Sequence, residues 1–355
     1  MSITPAYPSD ANQEKIVAVD AIKNLIVTVL IKKGMFRVEA DMVADRLTEA
    51  DLRGIDSHGC KSFPRYVEAM DSGDIDPRAT SLTLVDTPAI AVIDAGEGVG
   101  HVAATRAMQL TIKKAKEVGT GTVAIQKGQH FGAASVYSLM AAQEGMIGFC
   151  TTSTGGATVT AYGSRHAAIA NNAFAWSIPV RDGAPFVLDM AVGASSWGKI
   201  HSYEAYGGSL PEGWCLDADG NPTVDFDAVA TMLPAAGARG FGLGFVCSAL
   251  AGALVGRKMP IHKSHKPESD GSEHFFYAID VAQFGDIERF YKEVESSMAD
   301  MRALEPAEGF DKVRLPGEME WERSEDRKAN GIPLHGTTIE TLNELASSLN
   351  LDASI

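Results

Sequence analysis

The chain has 355 residues, 45% hydrophobic and 22% charged, with a formal charge of −15 at pH 7. That length can bury a substantial core, in one large domain or two. So acidic a balance argues against a nucleic-acid binder or an anionic-membrane binder, since either needs a basic face against phosphate; a local basic pocket for an anionic ligand stays open.

Residues 1–12 read as a loose arm, and polar and acidic residues through the first thirty give no sign of an export signal. Cys60, Cys150, Cys215 and Cys247 lie far apart without a CxxC pairing. Reduced thiols and a cytoplasmic location are therefore expected, rather than a disulfide framework or a zinc site.

Hydrophobic spacing predicts helices over 13–33, 37–53 and 63–72, each closed by a glycine (Gly34, Gly54, Gly73), so the first seventy residues form a helical layer. Between the second and third lies 50–66, ADLRGIDSHGCKSFPRY. Gly54 suits a left-handed helix stop, Ser62 offers a cap to the next helix, and Pro64 fits its first turn. His58 then stands at a helix-loop-helix junction with Ser57 beside it and Arg53, Asp56, Lys61 and Arg65 nearby. A neutral imidazole there can pass a proton near neutral pH. The residues equally allow a surface turn in which Asp56 and Ser57 cap backbone groups and His58 is incidental.

Weak alternation over 82–95 suggests two strands broken at Pro88, followed by a helix over 98–119. Then come a strand at 122–125, the turn Gly128-Gln129-His130-Phe131-Gly132, a helix at 133–143 and a strand at 146–151, which together read as a parallel crossover unit. The turn places His130 and free N–H groups at a helix N-terminus, where an anion or a pyrophosphate is favoured. Runs at 173–180 and 186–190 should pair as an antiparallel hairpin, making the sheet mixed. A short helix is expected at 226–232, a fully buried helix within 237–256, a mobile loop at 262–273, a strand at 274–279, and helices near 285–302 and 338–349. The run 241–256 is too short for an untilted membrane span of about 20 residues. No internal repeat is found.

None of the 35 glycines falls in a GxGxxG spacing, so an ordinary Rossmann half is disfavoured, though not a dinucleotide site of another design. His262-Lys263-Ser264-His265 lacks carboxylates or cysteines at ligand spacing, and no metal site is expected. G-x-S-x-G is absent around every serine. Lys199 and Arg239 sit among glycines, a setting suited to a carboxylate or phosphate and equally to solvated turns.

Several motifs together resemble the type-2 malate/L-lactate dehydrogenase family, which also holds ureidoglycolate, sulfolactate, diketogulonate and cyclic-imino-acid oxidoreductases. They are DLRGIDSHG at 51–59, HFGAAS at 130–135, VLDMA at 187–191 with GKI at 198–200, LPEGWCLDADGNPT at 210–223, ARGFGLG at 238–244 and LPGE at 315–318. The likeness runs over nearly the whole chain, in the family's order. It implies an α/β fold with a large mixed sheet flanked by helices, dinucleotide-binding but not Rossmann, and a homodimer with its active site near the subunit interface. It implies hydride transfer between NAD or NADP and C2 of a 2-hydroxy or 2-oxo acid.

By motif match His58 is the proton donor and acceptor, Ser57 its hydrogen-bonded partner, and His130 a residue against the cofactor that is itself the base in some members. The match also carries cofactor contacts onto Phe131, Gly132, Ala133 and Ala134, Asp189, Met190 and Ala191, Arg239 and Gly240, and Pro316, Gly317 and Glu318. Many members have arginine five residues after the motif serine to grip the substrate carboxylate. Here that position is Ser62, and Lys61, Arg65 or Arg53 is left to replace it. Lys199 occupies a site position that is acidic in cyclic-imine reductases, which favours oxo-acid chemistry.

The expected layout is a helical segment over 1–80 carrying the catalytic loop, a mixed-sheet core over 81–315, and a helical segment over 316–355 with a cofactor-contacting loop. Against the leading reading stand a cyclic imino-acid reductase acting on piperideine- or pyrroline-2-carboxylate and a family-like binding protein without catalysis. The intact Ser57-His58 argues against the last, because a binding module needs no proton donor.

Overall fold

A computed structural model describes residues 8–264 and 271–355. The N-terminal part carries β1 (Glu14–Val17) and helices α1 (Val19–Lys32), α2 (Arg37–Leu52) and α3 (Phe63–Ser72). Strands β2 (Leu82–Asp86) and β3 (Ile90–Asp94) lead through α4 (Gly100–Val118) to β4 (Thr120–Gly128), α5 (Ser135–Gln143) and β5 (Met146–Thr154). Short strands β6 (Val159–Thr160) and β7 (Ala167–Ile169) precede the hairpin β8 (Ala173–Ile178) and β9 (Phe186–Ala191), then α6 (Trp197–Ala205). Three more short strands follow, β10 (Cys215–Leu216), β11 (Pro222–Thr223) and β12 (Thr231–Met232). The remainder is α7 (Ala238–Leu250), β13 (Ser272–Asp280), α8 (Ile287–Arg302), α9 (Glu318–Asn330), β14 (Ile332–His335) and α10 (Gly336–Ser348).

Seven strands form one mixed sheet in the order β2-β3-β4-β13-β5-β8-β9, and five short strands form a second, β11-β10-β12-β6-β7. Helices α4 and α5 cover one face of the large sheet with Met108, Phe131, Tyr137, Ile125 and Phe276. The small sheet, α6 and α7 cover the other, packing Val159, Ile169, Trp214 and Met232 on Phe149, Phe174 and Phe275. Leu25, Leu30, Leu47, Phe63 and Ile339 build a separate core for the N-terminal helices and α10. The expected α/β fold, with a large mixed sheet flanked by helices, is the one found.

Several local expectations are corrected. Residues 14–17 are strand, not the first turns of a helix, because β14 from the far end of the chain pairs with them antiparallel, Lys15 opposite Leu334. The β4-α5-β5 crossover is parallel but its strands are not neighbours: β13 inserts between them, antiparallel to both. The run His274–Ala278, apolar on both faces but for its first residue, suits that central place. Within 226–232 only Phe226–Ala228 turns helically, as a 3-10 turn, and Thr231–Met232 is strand. Helix α7 is not fully buried. Its small face packs inward, where a methyl at Gly244 would come within 2.4 Å of Ile169, so Phe245 and Val246 are left 55% and 54% exposed. Helix α9 falls within the helical segment expected over 316–355, whereas β14 has no expected counterpart. Of the loop expected at 262–273, residues 265–270 lie outside the described residues, while Lys263 is buried in an ion pair with the buried Glu273.

Candidate active site

The turn carrying His58 is fixed from its first residue. Helix α2 ends in a Schellman motif: Gly54 has φ +76° and donates to the Asp51 carbonyl at 3.0 Å, and Ile55 donates to Ala50 at 2.9 Å. Two 3-10 turns follow, Asp56–His58 and Cys60–Ser62. Ser62 does not cap α3; its backbone is already helical, and its hydroxyl donates back to the Gly59 carbonyl at 2.7 Å. Ser57 Oγ lies 2.8 Å from His58 Nδ1, leaving Nε2 as the imidazole's working nitrogen. Gly198, on the first turn of α6, comes directly against Ser57.

His130 faces His58 across the cleft, with ring centroids 5.6 Å apart. Three groups converge on its Nδ1: the Tyr66 hydroxyl at 2.7 Å, the Gly132 N–H at 3.3 Å and Arg65 Nη2 at 3.4 Å. An amide and a guanidinium can only donate, so Nδ1 is the acceptor and the proton sits on Nε2. The Gly132 N–H reaches Nδ1 because φ is +81° there, and a side chain at Gly132 would strike the ring of His101 at 2.7 Å. Both histidines are held neutral. Burial, then the nearby Arg65 charge, pushes His58 down to about 4 and His130 well below its ordinary range.

A second set of residues meets along the edge strand β9. Ser135, opening α5, donates its N–H to Asp189 Oδ2 at 3.0 Å. Val187 donates to the Pro316 carbonyl at 3.0 Å, and Gly317 lies flat against Val187, where a Cβ would come within 2.7 Å. At the other end Gly240, next to Arg239 on the first turn of α7, abuts the Val192 carbonyl, one residue past the end of β9. Along β9, Val187 thus meets the 316–317 loop, Asp189 the start of α5, and Val192, just past the strand end, the start of α7. The Glu318 side chain serves that loop itself: Oε2 accepts from the Leu315 N–H at 3.0 Å and Oε1 pairs with Arg302. Burial raises the Asp189 carboxyl above the usual range, an effect moderated by hydrogen bonding from Ser135 and by the Arg53 charge.

These residues fit a dinucleotide. The Ser135 hydroxyl is buried without a partner, the Ala133 and Ala134 N–H groups donate to nothing among the described residues, and a carboxylate at a strand end is a natural acceptor for ribose hydroxyls.

The other cations are spread around the His58 turn. Lys61 reaches Ser202 at 3.3 Å, Lys199 lies 5.3 Å from the Trp214 ring centroid, and Arg53 is buried. Burial lowers the affinity of both lysines for a proton. Arg65, stacked on Tyr66, is the one that reaches His130. Among the described residues no cluster of three or more His, Cys, Asp or Glu has metal-binding geometry; His265 lies outside them. Sequence reasoning missed Tyr66, although it stands four residues after Ser62, one helical turn along the face that the motif already marked. It also missed Arg327, which reaches the turn from α9.

Residues 17–343 match the family described as malate/L-lactate dehydrogenase. A malate dehydrogenase of Pyrococcus horikoshii is 33% identical over 344 residues, covering 94% of this chain and 95% of its own. An L-sulfolactate dehydrogenase of Methanocaldococcus jannaschii is 35% identical over 336 residues, covering 93% and 96%. Among solved structures, malate dehydrogenase from Entamoeba histolytica superimposes with a TM-score of 0.91 at 32% identity, covering 96% of this chain and 99% of that one. The motifs spread from the His58 turn to the 316–318 loop thus lie in a single matched framework, and the chain belongs to the malate/L-lactate dehydrogenase family.

Proposed function

We propose that the protein is a nicotinamide-dependent dehydrogenase of 2-hydroxy acids, with His58 as the acid/base. The observation that carries the reading is the asymmetry of the two facing imidazoles. Nδ1 of His130 is occupied by three donors, so His130 offers an Nε2–H and no ready lone pair: it can polarise an oxygen on C2 but is a poor base. His58, tied at Nδ1 only to a serine hydroxyl that can donate or accept, can present Nε2 with or without a proton. In oxidation it takes the hydroxyl proton; in reduction it returns it. The dinucleotide, when bound, accepts or supplies the hydride at C2.

Arg65 supplies the positive charge for the substrate carboxylate, and Lys199, on the helix against Ser57, keeps that end of the site cationic, which favours oxo acids over iminium substrates. Calorimetry with NADH and NADPH, followed by absorbance assays with a panel of 2-oxo acids, tests the reading. Saturable binding of at least one dinucleotide and its oxidation by at least one 2-oxo acid are expected; binding of neither removes the dehydrogenase assignment.

A homodimer completes the proposal. Leu243, Phe245 and Val246 on α7 and Leu254 just beyond are 44 to 61% exposed, an apolar surface of the kind that a second subunit covers. Light scattering should give twice the 37.6 kDa of one chain, and Phe245→Glu should shift the protein towards one. A wild-type monomer at micromolar concentration would refute this part.

A further inference from the structure

Asp51 is buried with no exposed surface, yet it lies seven residues before His58 at the end of α2 rather than in the cleft. Its Oδ2 accepts the Cys60 N–H at 2.8 Å. Its Oδ1 has no hydrogen-bond partner. It lies instead against the Gly59 backbone, so closely that a Cβ there would come within 1.7 Å. Gly59 itself has φ −93° and ψ −150°, extended backbone open to any residue, so glycine is required for the carboxyl and not for the conformation.

On the other side of the catalytic pair, Arg327 from α9 donates to Asp56 Oδ1 at 2.6 Å and also to the Asp51 carbonyl. Ser57 and His58 are thus the only two residues between a pin at Asp56 and a pin at Gly59–Cys60, and both pins converge on Asp51.

A charge taken out of water is costly unless its bonds matter, and this one has Asp56 nearby as well. Burial, then the Asp56 charge, raises the Asp51 carboxyl to about 7. A hydrophobic residue would seat α2 equally well but could not hold the Cys60 N–H.

We propose that Asp51 is a positioning residue for the reaction: its carboxyl, seated against Gly59 and bonded to Cys60, sets the direction in which His58 presents Nε2. The inference rests on the reading of His58 as the acid/base. A misplacement of about 1 Å in a catalytic group costs on the order of 10²-fold in rate.

Turnover and dinucleotide affinity of Asp51→Ala, Asp51→Asn, Gly59→Ala and the Asp51→Ala/Gly59→Ala double variant test the proposal. Asp51→Ala and Gly59→Ala should each lower kcat about 10²-fold with dinucleotide Kd unchanged. Asp51→Asn, which keeps an acceptor for Cys60, should recover to within about tenfold of wild type. The double variant should be no slower than Asp51→Ala alone, because the collision at residue 59 is then gone. Wild-type kcat in either single alanine variant, or losses that multiply in the double, would overturn the proposal. If Asp51→Ala does not fold, Gly59→Ala and Asp51→Asn decide it.

Histidine-selective NMR gives a reading without substrate. The His58 imidazole signals, assigned from their loss in His58→Asn, should shift in Gly59→Ala while those of the deep-buried His274 stay; unchanged His58 signals also overturn the proposal. Failure of the wild type to oxidise any 2-hydroxy acid would instead refute only the functional reading.

Discussion

Replacing His58 with asparagine should lower kcat by about 10²–10⁴-fold, the usual share of a positioned acid/base, and leave dinucleotide affinity near wild type. The affinity should survive because the contacts proposed for the dinucleotide lie along β9, at Asp189 and the 316–317 loop, rather than on His58 itself. Asparagine can keep a hydrogen bond to Ser57 Oγ, now 2.8 Å from Nδ1, so the turn should hold its shape. It cannot carry a proton at the position of Nε2. The pH dependence has a definite sign. With His58 lowered to about 4 by burial, the free enzyme holds it as a neutral base, and kcat/KM for oxidation of the hydroxy acid should fall only as pH drops through about 4, with no loss at neutral pH from this group. A variant that kept most of its turnover would move the role to His130, despite the three donors on its Nδ1.

Arg65→Ala is expected to lower kcat/KM for the native substrate roughly 10–150-fold, the value of a charge-assisted bidentate contact worth about 1.5–3 kcal/mol. On the proposed reading, Arg65 takes the place of the missing arginine. Ser62 has spent its hydroxyl on the Gly59 carbonyl, Lys61 has turned to Ser202, and Arg53 is buried, whereas Arg65 lies over Tyr66 with Nη2 3.4 Å from His130. The complementary variant, Ser62→Arg, should raise kcat/KM for small 2-oxo acids such as pyruvate or oxaloacetate. It gives up one hydrogen bond to Gly59 and gains a second planar cation at the rim. If Ser62→Arg abolishes activity on every acid tested while the protein stays folded, the pocket is built for a bulkier or differently anchored acid. Steady-state kinetics of both variants over one substrate panel separate these outcomes.

What the sequence determined by itself was local. The helix stop at Gly54, the hairpin of β8 and β9 and the helix after the His130 turn are read from residues within a few positions of one another, where φ/ψ preferences and capping act directly. The motif resemblance named the family before any coordinates. Tertiary structure decided whatever depends on residues far apart in the chain. Residues 14–17 become a strand only because residues 332–335 lie beside them, and β4 and β5 are separated only because β13 arrives more than a hundred residues after β5. The outward apolar face of α7 follows from Gly244 seated on Ile169, a contact that no periodicity within α7 identifies. The tautomer of His130 is set by Tyr66 and Arg65, more than sixty residues earlier, and the direction of His58 by Asp51 below it and Arg327 from α9. A proton's place on an imidazole is fixed by the donors and acceptors within about 3 Å, and in a chain of this length folding supplies most of those neighbours from elsewhere.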